Sequence, residues 1–200
     1  MAKGEATRQA ILSRAFELAN LVGVSGLSIG RLAEATGLSK SGLFAHFGSK
    51  EALEVAVVEE AGRQFVQQVM VPALRRPRGE PRVRAMFDRW IAWGDRPGGC
   101  FFVGATAELD DRPGPPRDAL VQACRDWIDA LATAAQIAVS ERHFRPDLDA
   151  QQFAFEIYGI MLATQSLYRF LRDPAALGHA RQAFERLLAT SRYVGPPTTR

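Results

Sequence analysis

At 200 residues and 22.0 kDa, with 47% hydrophobic and 24% charged residues, the chain has the composition of a globular protein and excludes overall disorder. Cys100 and Cys124 are too few for a disulfide scaffold. The opening MAKGEATRQA lacks the apolar core of a secretory signal and no later run is apolar for a bilayer's width, so the expected location is the cytoplasm, with no membrane partner.

A first helix is expected from about Thr7 to Val22, with Ile11, Ala15, Leu18 and Val22 on one stripe, Leu12, Phe16 and Ala19 beside it, and Gly23 ending it. Ser28 caps a second helix whose Ile29, Leu32 and Ala33 share a face, and Gly37 stops it. Leu38 is expected to plug the turn. Ser39 then caps a short third helix in which Leu43 and Phe47 face the second, while Lys40, Ser41, Gly42, Ala45 and His46 face outward. Ser49 caps a fourth helix beginning at Lys50, with Glu51 and Glu54 complementing the positive end of its dipole. That helix runs to about Val71, where Pro72 and RRPRGEP break the pattern.

A fifth helix, about Arg82 to Trp93, carries Val83, Met86, Phe87 and Trp90 at helical spacing before the loop GDRPGG. A short sixth, CFFVGATAEL, precedes DDRPGPP, and a long seventh spans about Arg117 to Glu141. The eighth, Asp149 to Leu171, is apolar on two sides, one through Phe153, Ile157, Ile160, Thr164, Leu167 and Leu171, the other through Phe155, Tyr158, Leu162 and Gln165. A ninth helix, AALGHARQAFERLLATSRY, leads to the polar tail GPPTTR. No stretch alternates strongly enough for a sheet, so the fold class is all-α.

The segment Leu27 to Lys50 is the most specific signal, because two short capped helices around a tight turn form a pair able to lay the second in a major groove. The net charge of +3 supports this through its location. Residues 1–50 hold six Lys or Arg against three Glu, while the remainder holds 19 of each sign. Lys40 reads guanine through O6 and N7 or touches phosphate alone; Ala45 offers only apolar contact to a thymine methyl, and Gly42 allows close backbone approach. His46 contacts phosphate or bonds a nearby carbonyl.

Thr7 to Leu53, through TRQAILSRAFELANLVG, SIGRLAEATGLSKSGLFAHF and GSKEAL, resembles the DNA-binding domain of the TetR (tetracycline repressor) family of bacterial transcriptional regulators. The resemblance implies a three-helix helix-turn-helix head, placed at residues 1–50, and a helical ligand-binding and dimerisation body at 51–200. It also implies a homodimer reading a two-fold double-stranded operator. Ser28, Ser39, Lys40, Ser41, Gly42, Phe44, Ala45, His46 and Lys50 are the candidate DNA-binding residues. Lys50 matches a family lysine and should bind phosphate with the N-terminus of the fourth helix. Two positions depart from the family. Phe44 stands where a tyrosine hydroxyl commonly touches phosphate, and Gly30 where some members use arginine or threonine.

In related regulators the fifth to eighth helices enclose a ligand, and here Met86, Trp90, Trp93, Phe102, Trp127, Met161 and Leu162 supply apolar surface, with Thr106, Tyr158 and Gln165 as polar anchors. The same aromatics could equally fill the core. The expected effector is a small apolar or aromatic molecule that releases DNA. For the dimer, the family implies packing of the last two helices on their copies, through Phe153, Ile157, Ile160, Thr164 and Leu167, or the opposite stripe, with Leu177, Ala180, Phe184 and Leu187.

No cofactor or metal is expected: His143 and His179 lie on different elements from Cys100 and Cys124, and no pair has ligand spacing. Cys100, at a helix start, is either an activated thiol or a small buried residue. Glu108, Asp110 and Asp111 lack the partners of a catalytic site, so the chain is not expected to be an enzyme. An activator or a constitutive DNA binder without ligand stays open as the alternative.

Overall fold

A computed structural model describes residues 3–195; Met1, Ala2 and the last five residues of the expected polar tail lie outside them. Nine helices are described: α1 (Lys3–Val22), α2 (Ile29–Thr36), α3 (Lys40–Phe47), α4 (Lys50–Phe65), α5 (Glu80–Gly94), α6 (Phe101–Leu109), α7 (Pro115–Ser140), α8 (Ala150–Gln165) and α9 (Ala176–Ser191). Among the described residues the only strand-like pairing is a single bridge between Phe144 and Arg192.

The local signals act as the chemistry of caps requires. The hydroxyls of Ser28, Ser39 and Ser49 accept the amides of Arg31, Gly42 and Ala52 at 3.2, 3.0 and 3.0 Å, each satisfying a donor that the first turn leaves free. Gly37 ends α2 in the left-handed region at φ 67°.

One helix runs further than its apolar pattern indicates. α4 continues through a π turn (Val66–Met70) into a last turn (Val71–Leu74). Pro72 cannot donate to Gln68 and its ring would meet that carbonyl in a regular helix; the wider π turn, which includes Gln68, relieves the collision and corrects the expected stop at Pro72. α8 likewise ends in a π turn, Ser166–Phe170.

The described chain forms two compact units. One combines the chain up to Val66 with Asp95–Cys124, so α6 and the start of α7 belong with the first four helices. In it α1 packs on α2 and α4 through Leu12, Ala15, Phe16 and Ala19, and Val22, expected on the inward stripe, is exposed. Phe16 meets Phe101 at 5.5 Å between ring centroids, and Phe65 meets Phe102 edge-on at 5.5 Å, so α6 seats on α1 and α4 through four aromatic rings. Each such buried side chain contributes roughly 1.5–3 kcal/mol.

The other unit combines Gln67–Gly94 with the chain from Arg125 onward. α8 and α9 pack as a pair, and Phe87 of α5 stacks on Phe184 of α9 at 4.0 Å. Glu80 at the start of α5 accepts Arg192 at 2.7 and 2.9 Å and Arg84 at 2.8 Å. Hydrogen bonds from Arg192, against the opposing effect of burial, hold its carboxyl down at about 2.

Candidate functional site

The outward surface of α3 arises from its cap and its two buried anchors. Leu43 and Phe47 are buried against the head, which turns Lys40, Ser41, Phe44 and Ala45 to solvent, with Gly42 and His46 half-buried beside them. Ser39 and Ser28 are exposed, and each hydroxyl already accepts a backbone amide; the Ser39 hydroxyl also shares a hydrogen bond with that of Ser41 at 3.1 Å. A Cβ on Gly42 would lie 3.1 Å from the Ser39 hydroxyl, so glycine at this position keeps the cap close. Leu38, expected to plug the turn, is 37% exposed; Leu27, Leu32 and Leu43 fill the space beneath it.

Lys40 lies beside Gly30 of α2, whose missing Cβ would sit 3.7 Å from the lysine Cε and 4.0 Å from Nζ. The family position that can carry an arginine thus bears no side chain here, and the end of Lys40 lies in contact range of it. Lys50 is anchored rather than free: its Nζ donates to the Ser25 carbonyl at 3.1 Å and stands 3.6 Å from Glu54. Arg8 lies over the Phe47 ring at 5.4 Å, adding a further cation to this unit.

Glu54 departs from its expected role at the dipole. Its side chain is 1% exposed and pairs with Arg112 in the loop after α6. Arg112 also donates to the Ser25 hydroxyl at 3.2 Å, and Glu108 of α6 accepts the Ser25 amide at 2.9 Å. The α1–α2 loop is therefore fastened by α6 and its following loop. Sequence reasoning weighed Glu108 as a catalytic carboxylate and passed over Arg112, because its pairing with Glu54, 58 residues away, leaves no local pattern.

The candidate effector residues divide between the units. Phe102 and Thr106 belong to the first; Phe102 is half-buried among phenylalanines, and the Thr106 hydroxyl donates to Val103 O at 2.8 Å within α6. In the second, Met86, Trp90 and Trp93 on α5, Trp127 on α7, and Met161 and Gln165 on α8 are buried, Tyr158 is half-buried and Leu162 exposed. α5 packs on α8, and Gln165 sits so close to Gly94 that a Cβ there would lie 2.1 Å from its Nε2.

Of the candidate dimer residues, Phe153, Ile157, Thr164, Ala180, Phe184 and Leu187 are buried within the single chain, and Ile160, Leu167 and Leu177 are half-buried. The core consumes that stripe. The opposite side of α8 is the open one: Phe155 is 71% and Phe170 83% exposed, with Gly159, Leu162, Ala163 and Ser166 exposed between them.

Cys100 is buried at the start of α6, and burial, reinforced by Cys100, pushes the Cys124 thiol up to about 11. Among the described residues no group of His, Cys, Asp or Glu could hold a metal ion, and no helix is long and apolar enough to cross a membrane.

Comparison with known proteins agrees with this architecture. The family model for bacterial regulatory proteins of the tetR family matches residues 11–57, and that for the tetracyclin repressor-like C-terminal domain matches residues 79–184. A TetR transcriptional regulator from Chloroflexus aurantiacus superimposes with a TM-score of 0.85 at 27% identity, covering 97% of this chain and 100% of its own. A TetR-family regulator from Cytophaga hutchinsonii gives 0.85 at 23% identity, covering 96% and 98%. AibR, solved with isovaleryl coenzyme A and operator DNA, gives 0.68 at 22% identity, covering 92% and 97%. No curated protein matches the chain. With both its helix-turn-helix segment and more than half its length matched, the chain belongs to the TetR family of transcriptional regulators.

Proposed function

We propose that this regulator is a cytoplasmic repressor, not a catalyst, that binds a palindromic operator as a homodimer and is released by a small apolar or aromatic effector. The observation that carries the reading is the capped, outward-facing α3, whose Lys40, Ser41, Ala45 and His46 are presented by buried Leu43 and Phe47. Lys40 is the base-reading candidate and Lys50 the phosphate contact, with Ser28, Ser39, Gly42 and Phe44 framing the surface. Residues 1–50 act as the reading head and 51–200 as the responding body. For the dimer we favour the exposed stripe of α8 from Phe155 to Phe170, together with Leu177 of α9, because a stripe already buried in its own chain has little surface left for a partner.

The effector reading rests on the apolar and aromatic side chains of α5, α7 and α8, with Tyr158 and Gln165 as polar groups among them. AibR was solved with an acyl thioester, so acyl-coenzyme A compounds join hydrophobic aromatics in the test panel.

Fluorescence anisotropy on a two-fold duplex, across a salt series, tests the DNA claim. Lys50→Ala should weaken binding to all sequences alike, whereas Lys40→Ala should relax preference at one base position at a cost of about 1–3 kcal/mol. Equal losses on specific and random duplex would make Lys40 a phosphate contact only. A panel that neither releases DNA nor raises the melting temperature would favour a constitutive binder.

A further inference from the structure

A pocket of about 210 Å³ opens between the last turn of α1 and α6. Its polar groups are acceptors. Asn20 Oδ1 is a buried atom with no hydrogen-bond partner among the described residues, while the same amide's nitrogen donates to Pro97 and Gly99 carbonyls at 2.6 and 3.2 Å, which fixes its orientation. Glu108 spends one carboxylate oxygen on the Ser25 amide and keeps the other free to accept among the described residues. Asn20 and Leu21 also belong to the last turn of α1, where free carbonyls give the helix end a partial negative charge.

The remaining wall is built from Gly, Ala, Val, Leu, Phe and Cys, with no Lys or Arg. Two cations lie nearby but off the wall: Arg112 is engaged with Glu54 and Ser25, and the Arg96 guanidinium lies over the Phe16 ring at 5.6 Å. Close packing shapes one side: Gly98, at φ +86°, lies so near α1 that a Cβ would come within 1.9 Å of the Asn20 carbonyl oxygen. Gly104, in contrast, has nothing within 4 Å of its would-be Cβ, which leaves the α6 side open.

We propose that this pocket is a binding site for a small organic ammonium ion, with Glu108 supplying the countercharge and Asn20 Oδ1 a directed acceptor. A compact amine on a small alkyl or aryl body fits this lining, the N–H groups toward Glu108 and Asn20 and the apolar body toward the open side at Gly104. The site uses none of the residues assigned to the apolar effector and does not depend on that reading.

Benzylamine and its neutral counterpart benzyl alcohol, titrated calorimetrically into the full chain at neutral pH, test this directly. Benzylamine should bind with a Kd of about 1 mM or better, and the alcohol at least about tenfold more weakly. Glu108→Gln keeps an acceptor for the Ser25 amide but removes the charge, and should weaken the amine at least about tenfold. Gly104→Ile, placed where an added Cβ meets no atom within 4 Å, should block binding without disturbing the core, and keeps the test valid if Glu108→Gln lowers the melting temperature. Equal affinity for amine and alcohol, or amine affinity unchanged in both variants, would overturn the assignment, as would absence of heat at about 10 mM amine.

Discussion

Removing Arg112 should expose how strongly the loop after α6 holds the reading head. In Arg112→Ala, the Glu54 carboxylate, 1% exposed in the intact chain, loses its charge-assisted partner, and only Lys50, at 3.6 Å, remains nearby. Breaking a fully buried pair from one side costs about 3–5 kcal/mol. Here the arginine is 41% exposed, so its own desolvation was incomplete, and Lys50 retains part of the attraction; the cost should be about 2 kcal/mol. For a chain of this length that lowers the melting temperature by about 4–8 °C. Thermal unfolding followed by circular dichroism, run on Arg112→Ala, Glu54→Gln and the double variant, separates the pair from general damage. The double variant should lose less than the sum of the singles, by about 1–2 kcal/mol. A loss under about 0.5 kcal/mol for Arg112→Ala, or strict additivity, would refute the pairing argument.

Phe155→Glu combined with Phe170→Glu should turn a sedimenting dimer into a folded monomer, because both side chains lie open on α8; a persisting dimer would place the interface elsewhere. Glu80, whose folded carboxyl titrates at about 2 against an ordinary 4.5, contributes stability that is full above about pH 5 and is lost as pH falls through about 2. The shift corresponds to at most about 3 kcal/mol, reduced to about 1–2 because Arg192 is partly hydrated; Glu80→Gln should flatten the acid limb of a stability-versus-pH curve by that amount. Gly98→Ala should cost about 3 kcal/mol in denaturant titration, since it adds a left-handed strain to a clash with the Asn20 carbonyl, and a near-neutral result would contradict the local backbone.

What the amino-acid pattern reveals here is what local chemistry controls. Ser28, Ser39, Ser49 and Gly37 act within four residues of their partners, so their caps and stops are readable without knowing the fold. The order of nine helices follows from proline and glycine punctuation. The orientation of α8 does not, because both of its sides are apolar and only packing decides that Phe153 and Ile157 go inward while Phe155 and Phe170 stay out. Leu38 misleads for a related reason: Leu27, earlier in the chain, already fills the space under the turn. Glu54 looks like an ordinary first-turn acid, and its burial depends on Arg112, whose position is fixed only once α6 has packed on α1 and α4. The acceptor-lined pocket is equally invisible beforehand, since Asn20 and Glu108 meet only through tertiary structure.

The two π turns bear on how this chain should be aligned with its relatives. The one in α4 behaves as one surplus residue absorbed inside a helix, so the faces before and after it keep a common phase, whereas the one in α8 closes that helix. Fifteen steps separate Phe155 from Phe170, which a regular helix would leave some 60° out of phase; the wider turn reduces that offset to about 40°. A relative whose fourth helix is one residue shorter therefore matches this one through a single gap inside Val66–Met70, and a relative with a regular end to its eighth helix differs only from Ser166 onward. A gap set elsewhere in α4 would pair core positions of one regulator with surface positions of the other, and would make a shared face look like divergence.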